Sequence, residues 1–184
     1  MSRLSVYSAP DKAPRVIENF DEITAELEAI GVQFERWQAD RPLSDDAGQE
    51  EVIEAYRDSI DKLNKQYSFQ SLDVVSLKPD NPKKTEFRQK FLSEHTHDDF
   101  EVRFFVDGKG VFYLHVDGKV YAVLCEKGDL ISVPAGVTHW FDMGTNPDFK
   151  CIRFFTIPDG WVGNFTGSPI AKQYPDYDQL TVSA

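Results

Sequence analysis

Cysteine is scarce in this chain. Cys125 and Cys151 are the two among 184 residues, and neither lies in a C-x-x-C pair. That is too few for a disulfide framework, so both are expected to be buried free thiols in strands. Positive charge is also in deficit: 20 Lys and Arg against 31 Asp and Glu give a formal net charge of −11. Without a basic stripe there is nothing to neutralise nucleic-acid phosphates or to hold an anionic membrane surface. No apolar run approaches membrane-spanning length, and Met1-Ser2-Arg3-Leu4-Ser5 lacks the apolar centre of a secretory signal. Internal repeats and low-complexity tracts are missing as well. These absences point to a cytoplasmic protein with neither nucleic-acid nor membrane partners; a monomer is expected, with the oligomeric state left open by the sequence. An anionic small substrate would then need local positive charge, which turns attention to arginines in apolar strands and to metal ions.

What is present is a globular composition, 41% hydrophobic and 13% aromatic, in a chain of one-domain size. Residues 1 to 20 read as an irregular or strand-like lead. Asp21 is placed to cap a helix that buries Ile23, Leu27 and Ile30 and stops at Gly31. Gln49 to Asn64 shows Val52, Tyr56, Ile60 and Leu63 on one helical face. Leu72 to Leu77 reads as a strand, Lys78 to Lys84 as an exposed loop, and the chain turns β-rich from Phe87. A strand over Lys109 to His115 meets an Asp117-Gly118 hairpin turn into Val120 to Leu124. Leu130 to Val133, the segment around His139, and Cys151 to Thr156 complete a run of short strands that indicates a β-barrel or sandwich.

The chemistry concentrates between Glu94 and Met143. On a strand, residues two apart share a face, so His95, His97, Glu101, Arg103 and Phe105 point to one side unless a bulge at Asp98-Asp99 breaks the register. Two imidazoles and a carboxylate suit a divalent transition metal. His139, from a later strand, can supply a fourth ligand and leave two adjacent octahedral positions for a chelating guest. A lone strand histidine is usually structural, and His115 is read that way; three in this pattern are not. Arg103 should project to the metal side, where it either stabilises an anion or pairs with Glu101. Arg153 sits in the apolar strand Cys151-Ile152-Arg153-Phe154-Phe155 and is balanced between a second anion contact and a structural pair. Glu94 has the opposite parity to His95, and its plainer reading is a solvated edge carboxylate.

These residues also carry a family resemblance. His95, His97, Glu101 and Gly108 fit the first motif of the cupin superfamily, and Gly128, Pro134, Gly136 and His139 fit the second. Met143 replaces the asparagine that usually ends the second motif. Glu94-His95-Thr96-His97, Glu101-Val102-Arg103-Phe104-Phe105 and His139-Trp140-Phe141-Asp142-Met143-Gly144 resemble the acireductone dioxygenase family over roughly Phe87 to Thr156. The resemblance implies a mainly β cupin fold, a double-stranded β-helix or jelly-roll barrel with a few flanking helices. It would occupy residues 1 to 184 as one domain, with a helical portion at about 21 to 66 packed on the barrel. It implies one Fe2+ or Ni2+ on His95, His97, Glu101 and His139, with the acireductone 1,2-dihydroxy-3-keto-5-methylthiopentene and O2 as substrates in methionine salvage. The iron form would give formate and 2-keto-4-methylthiobutyrate; the nickel form formate, carbon monoxide and 3-methylthiopropionate. Arg103 and Arg153 would face the substrate anion, Glu94 would assist metal uptake, and Phe91, Phe141 and Trp161 would wall the pocket. Phe100 stands where the family often has an acid that transmits conformational change, a role that phenylalanine cannot fill through charge. The competing reading is a non-enzymatic metal cupin that binds a small acid or sugar derivative.

Overall fold

The computed structural model describes residues 1–157 and 162–182. The chain opens with two short strands, β1 (Arg3–Tyr7) and β2 (Arg15–Ile17), then helix α1 (Phe20–Glu28) and β3 (Gln33–Arg36). Helices α2 (Gln49–Ala55) and α3 (Arg57–Tyr67) precede β4 (Ser71–Leu77) and a further helix, α4 (Lys84–Leu92). The barrel strands follow: β5 (His95–Thr96), β6 (Glu101–Val116), β7 (Lys119–Glu126), β8 (Asp129–Val133), β9 (Thr138–Asp142) and β10 (Phe149–Phe155). After β11 (Asn164–Phe165) the described chain ends in helix α5 (Tyr177–Val182).

All strand pairing is antiparallel, and β6 organises it. Its first half pairs with β8 and β10, its second half with β7 and β9. One strand therefore serves two sheets, ordered β11-β5-β9-β6-β7-β1-β2 and β4-β10-β6-β8-β3. Sixteen consecutive residues span both sheets because the strand turns a corner at Gly108. There φ is +75°, and a Cβ would lie 1.9 Å from the Asp148 carbonyl oxygen, so neither the conformation nor the space admits a side chain. A bulge just before the corner, where Val106 is skipped between the pairs Phe105–Cys151 and Asp107–Lys150, reverses the alternation. Phe105 faces the core between the sheets, and so does Phe112, seven residues on.

Between the sheets lie Leu4, Phe34, Phe105, Phe112, Leu114, Ile131, Phe141 and Phe149, joined by Ile23 and Leu27 of α1. Burial of each such side chain contributes about 1.5–3 kcal/mol. Both outer faces are covered as well. Helices α2 and α3 lay Val52, Tyr56, Ile60 and Leu63 on Phe104, Leu130 and Ile152. The C-terminal segment packs Tyr174 against Tyr113 and Trp140. Cys125 and Cys151 are free thiols inside the core.

The mainly β architecture agrees with the sequence reading, with four local differences. The first helix starts two residues early, capped by Asn19 rather than Asp21; the Asn19 side chain accepts from the Glu22 N–H at 3.1 Å. The expected helix over 49 to 64 is two helices broken at Tyr56, whose ψ of 14° leaves the helical range. Lys84–Leu92 is a helix where a loop running into β structure was expected; none of its residues is fully buried, so it carries no apolar stripe. Lys109 to His115 is the far half of β6 rather than a separate strand. The Asp117-Gly118 hairpin turn does form, with both residues at positive φ. Gly108→Ala is expected to destabilise the fold by about 2–4 kcal/mol, read as a lower urea midpoint. An unchanged midpoint would contradict the corner.

Candidate metal centre

Strand pairing brings the histidines together. His95 on β5 lies directly opposite His139 on β9, and β9 is hydrogen-bonded to β6, with His139 opposite Leu114. His97 leaves the end of β5, and Glu101 begins β6. The chain is irregular between them, yet the carboxylate returns to the face of the two imidazoles. One potential ligand atom from each of His95, His97, Glu101 and His139 falls within a mutual 4.8 Å, all four residues being buried. The Pro134-Ala135-Gly136 turn holds this arrangement: Gly136 donates its N–H to the His97 carbonyl at 2.9 Å.

The imidazoles are oriented by backbone. His95 Nδ1 lies 2.7 Å from the Ser93 carbonyl, His97 Nδ1 2.8 Å from that of Val162, and His139 Nδ1 2.7 Å from that of Val137. A carbonyl oxygen only accepts, so Nδ1 is the donor in each pair, and each ring turns Nε2 to the ligand face, where it can bind a cation once any proton it shares with Glu101 has left. Three Nε2 lone pairs beside a carboxylate make a donor set suited to a divalent transition metal.

Glu101 divides its carboxylate. Oε2 lies 2.9 Å from Nε2 of both His97 and His139, and Oε1 lies 2.9 Å from Arg103 Nε. Burial pushes the Glu101 carboxyl up, but Arg103 and the hydrogen bonds with His139 and His97 outweigh it and hold the group well below the usual range. Burial, with His139 alongside, pushes His95 down to about 4. His97 goes the other way: burial lowers it, but its hydrogen bond to Glu101 and the charge of that carboxylate raise it more.

Arg103 sits among aromatic rings. Its Cζ is 4.8 Å from the centroid of Phe141, 5.4 Å from Phe112 and 5.8 Å from Phe91, and Phe91 meets Phe141 edge-on at 6.2 Å. Phe91 and Phe141 therefore stand beside Arg103. Phe112 was missed, because strand parity counted from Glu101 places it outward and the bulge at Val106 turns it in.

Three expected site residues are placed elsewhere. Arg153 opposes Arg103 in register, but its guanidinium is gripped by both oxygens of Asp73, at 2.8 and 2.6 Å. Phe100 packs against Tyr67 at 5.4 Å, in the aromatic cluster outside the barrel. Glu94 is buried rather than solvated: Oε2 lies 3.0 Å from His115 Nδ1, and Oε1 accepts from Thr166 Oγ1 at 2.7 Å. That pairing gives His115 a partner and fastens β11 to β5; spacing alone gave no sign of it. Trp161 lies outside the described residues.

Two antiparallel sheets closed around a face of three histidines and one glutamate define a metal-binding cupin. The chain belongs to the ARD/ARD' family, whose model matches residues 7–163. It is 57% identical to the acireductone dioxygenase of Hydrogenobaculum sp. (strain Y04AAS1) over 98% of both chains. It is 55% identical to that of Aquifex aeolicus (strain VF5), again over 98% of each. Among solved structures it resembles acireductone dioxygenase from Bacillus anthracis with a cadmium ion in its active centre. That match has a TM-score of 0.80 and 30% identity, and it covers 90% of this chain and 98% of the other.

The raised His97 has a measurable consequence. Calorimetric titration of Ni2+ into metal-free protein at about pH 6.5, in buffers of different ionisation heat, is expected to show net proton release as the cation displaces the proton shared by the His97–Glu101 pair. A heat independent of buffer would contradict that pairing.

Proposed function

We propose that this chain is an acireductone dioxygenase. It cleaves 1,2-dihydroxy-3-keto-5-methylthiopentene with O2 in methionine salvage, using Fe2+ or Ni2+ held by His95, His97, Glu101 and His139. The observation that carries the site assignment is the division of Glu101 between two ligand imidazoles and Arg103. A bound metal supplies Lewis-acid polarisation of two neighbouring enediol oxygens, lowering the cost of their ionised form.

The chain's own residues do the rest. Arg103 lies one carboxylate width from the ligand face, so its positive charge favours a doubly deprotonated enediol over the neutral one. The rings of Phe91, Phe112 and Phe141 keep water from that guanidinium, which strengthens its field at the substrate. The backbone carbonyls of Ser93, Val137 and Val162 keep the imidazoles from turning when substrate arrives. The electron-rich dianion so formed reacts with O2 directly. Cleavage gives formate and 2-keto-4-methylthiobutyrate in the iron form, or formate, carbon monoxide and 3-methylthiopropionate in the nickel form. Phe91 and Phe141 wall the methylthio end. Arg153, Glu94 and Phe100 support the barrel rather than touch substrate.

The chain is read as one domain, with the helices of its first third packed on the barrel, and as a cytoplasmic monomer. Two buried free thiols fit a reducing compartment, and among the described residues no helix is long and apolar enough to cross a membrane. The reading as a non-enzymatic metal cupin gains no support from a buried arginine aimed at the ligand face.

Oxygen uptake with the acireductone should require added Fe2+ or Ni2+, and carbon monoxide should appear with nickel. Arg103→Met should keep its metal and lose about 10²–10³-fold in kcat/KM, with Arg103→Lys recovering part. Metal-loaded protein that consumes no oxygen, or Arg103→Met with full activity, would defeat the proposal.

A further inference from the structure

The apolar wall has an unequal foundation. Phe141 is fixed in the core on β9, but Phe91 rides on α4, a helix without a single fully buried residue. Such a helix has little packing to prevent it from sliding along the barrel. Its firmest tie is ionic. Arg88, one turn before Phe91, donates from Nε to Asp142 Oδ1 at 2.7 Å and from Nη2 to Oδ2 at 2.9 Å. Asp142 is 0% exposed and directly follows Phe141. One bidentate pair therefore joins the residue three before one ring to the residue one after the other.

The pair is braced from the C-terminal segment. Asp142 accepts from the N–H of Gly144 at 3.0 Å and of Tyr177 at 2.9 Å. Arg88 Nη2 also lies 3.4 Å from Asp176 and 3.5 Å from Asp178. Gly144 lets α5 sit this close, since a Cβ there would meet the Tyr177 ring at 2.5 Å. Burial alone would raise the Asp142 carboxyl, but Arg88 and these backbone donors hold it below its ordinary value. The guanidinium is thus the junction of the wall helix, the ligand-bearing strand β9 and the C-terminal segment.

We infer that Arg88 is a positioning residue for substrate selectivity: through Asp142 it sets Phe91 against Phe141 at the spacing that accepts the methylthio chain. The inference rests on the proposed activity. The enediol head is recognised at the ligand face and Arg103; α4 meets Arg103 through the Phe91 ring and the ligand face through its C-cap, Ser93, whose carbonyl holds His95, a residue that β9 pins independently of α4. Loosening α4 should therefore weaken recognition of the apolar tail and leave recognition of the head largely intact.

The test uses full-length nickel-loaded protein and two acireductones with the same enediol head, one with the methylthioethyl chain and one with methyl in its place. Anaerobic titration gives Kd for each, and oxygen uptake gives kcat and KM. Arg88→Ala should raise Kd and KM for the methylthio compound about tenfold. It should change the truncated compound less than about threefold and leave kcat and nickel content per chain unchanged. Arg88→Lys, which keeps the charge but not the bidentate grip, should give an intermediate loss of discrimination. It also serves if Arg88→Ala proves insoluble. Equal losses for both compounds would show a merely structural role and overturn the inference, as would unchanged discrimination in Arg88→Lys and Arg88→Ala. Wild-type protein that binds neither compound would overturn the activity itself, and this inference with it.

Discussion

One carboxylate serves two masters in this protein. Glu101 turns one oxygen to the imidazoles and the other to a guanidinium, and almost everything else in the barrel either places that group or shields it. A buried carboxylate without partners is costly by several kcal/mol. Here the partners are the functional groups themselves, so the requirement to satisfy the charge and the requirement to build the site are the same. A cation held by the imidazoles and Glu101 would leave the guanidinium of Arg103 beside Oε1, next to the reaction space.

The fold makes this arrangement rigid at little length of chain. β6 carries Glu101 and Arg103 at its start and runs on into the sheet that bears His139. β5, two residues long, is pinned between β9 and β11. The third imidazole depends on a more distant element, since His97 is oriented by the Val162 carbonyl, 65 residues further on. Thr166, fastened to Glu94 by side chain and backbone, keeps that region on β5. Glu94 thus bears on the site through the backbone behind it.

Two of the ligand set's regularities are local, the His-x-His spacing and a glycine-proline turn ahead of His139, but the strand period that tied Glu101 to the histidines does not hold, because the chain leaves the strand between Thr96 and Glu101. The mainly β class followed from short strands separated by turn residues, and the helical face of Val52, Tyr56, Ile60 and Leu63 from a clean 3.6 period. What could not be read depends on partners far along the chain. Arg153 and Asp73 are 80 residues apart and Glu94 and His115 are 21 apart, and nothing in the local pattern announces either pair. Helix α4 escaped because it buries no complete side chain and so prints no periodic stripe. Phe112 escaped because the bulge at Val106 shifts the alternation. Phe100 looked like a site position only by family correspondence; its side chain turns to the outer aromatic cluster.

The donor atoms around the cation decide the assignment. X-ray absorption at the nickel edge of the loaded protein is the most direct test. It should show an all nitrogen and oxygen shell with the multiple scattering of three imidazoles, and with two light ligands that exchange when an enediol is added. Sulfur in the shell, or scattering from fewer than three imidazoles, would contradict the site described above.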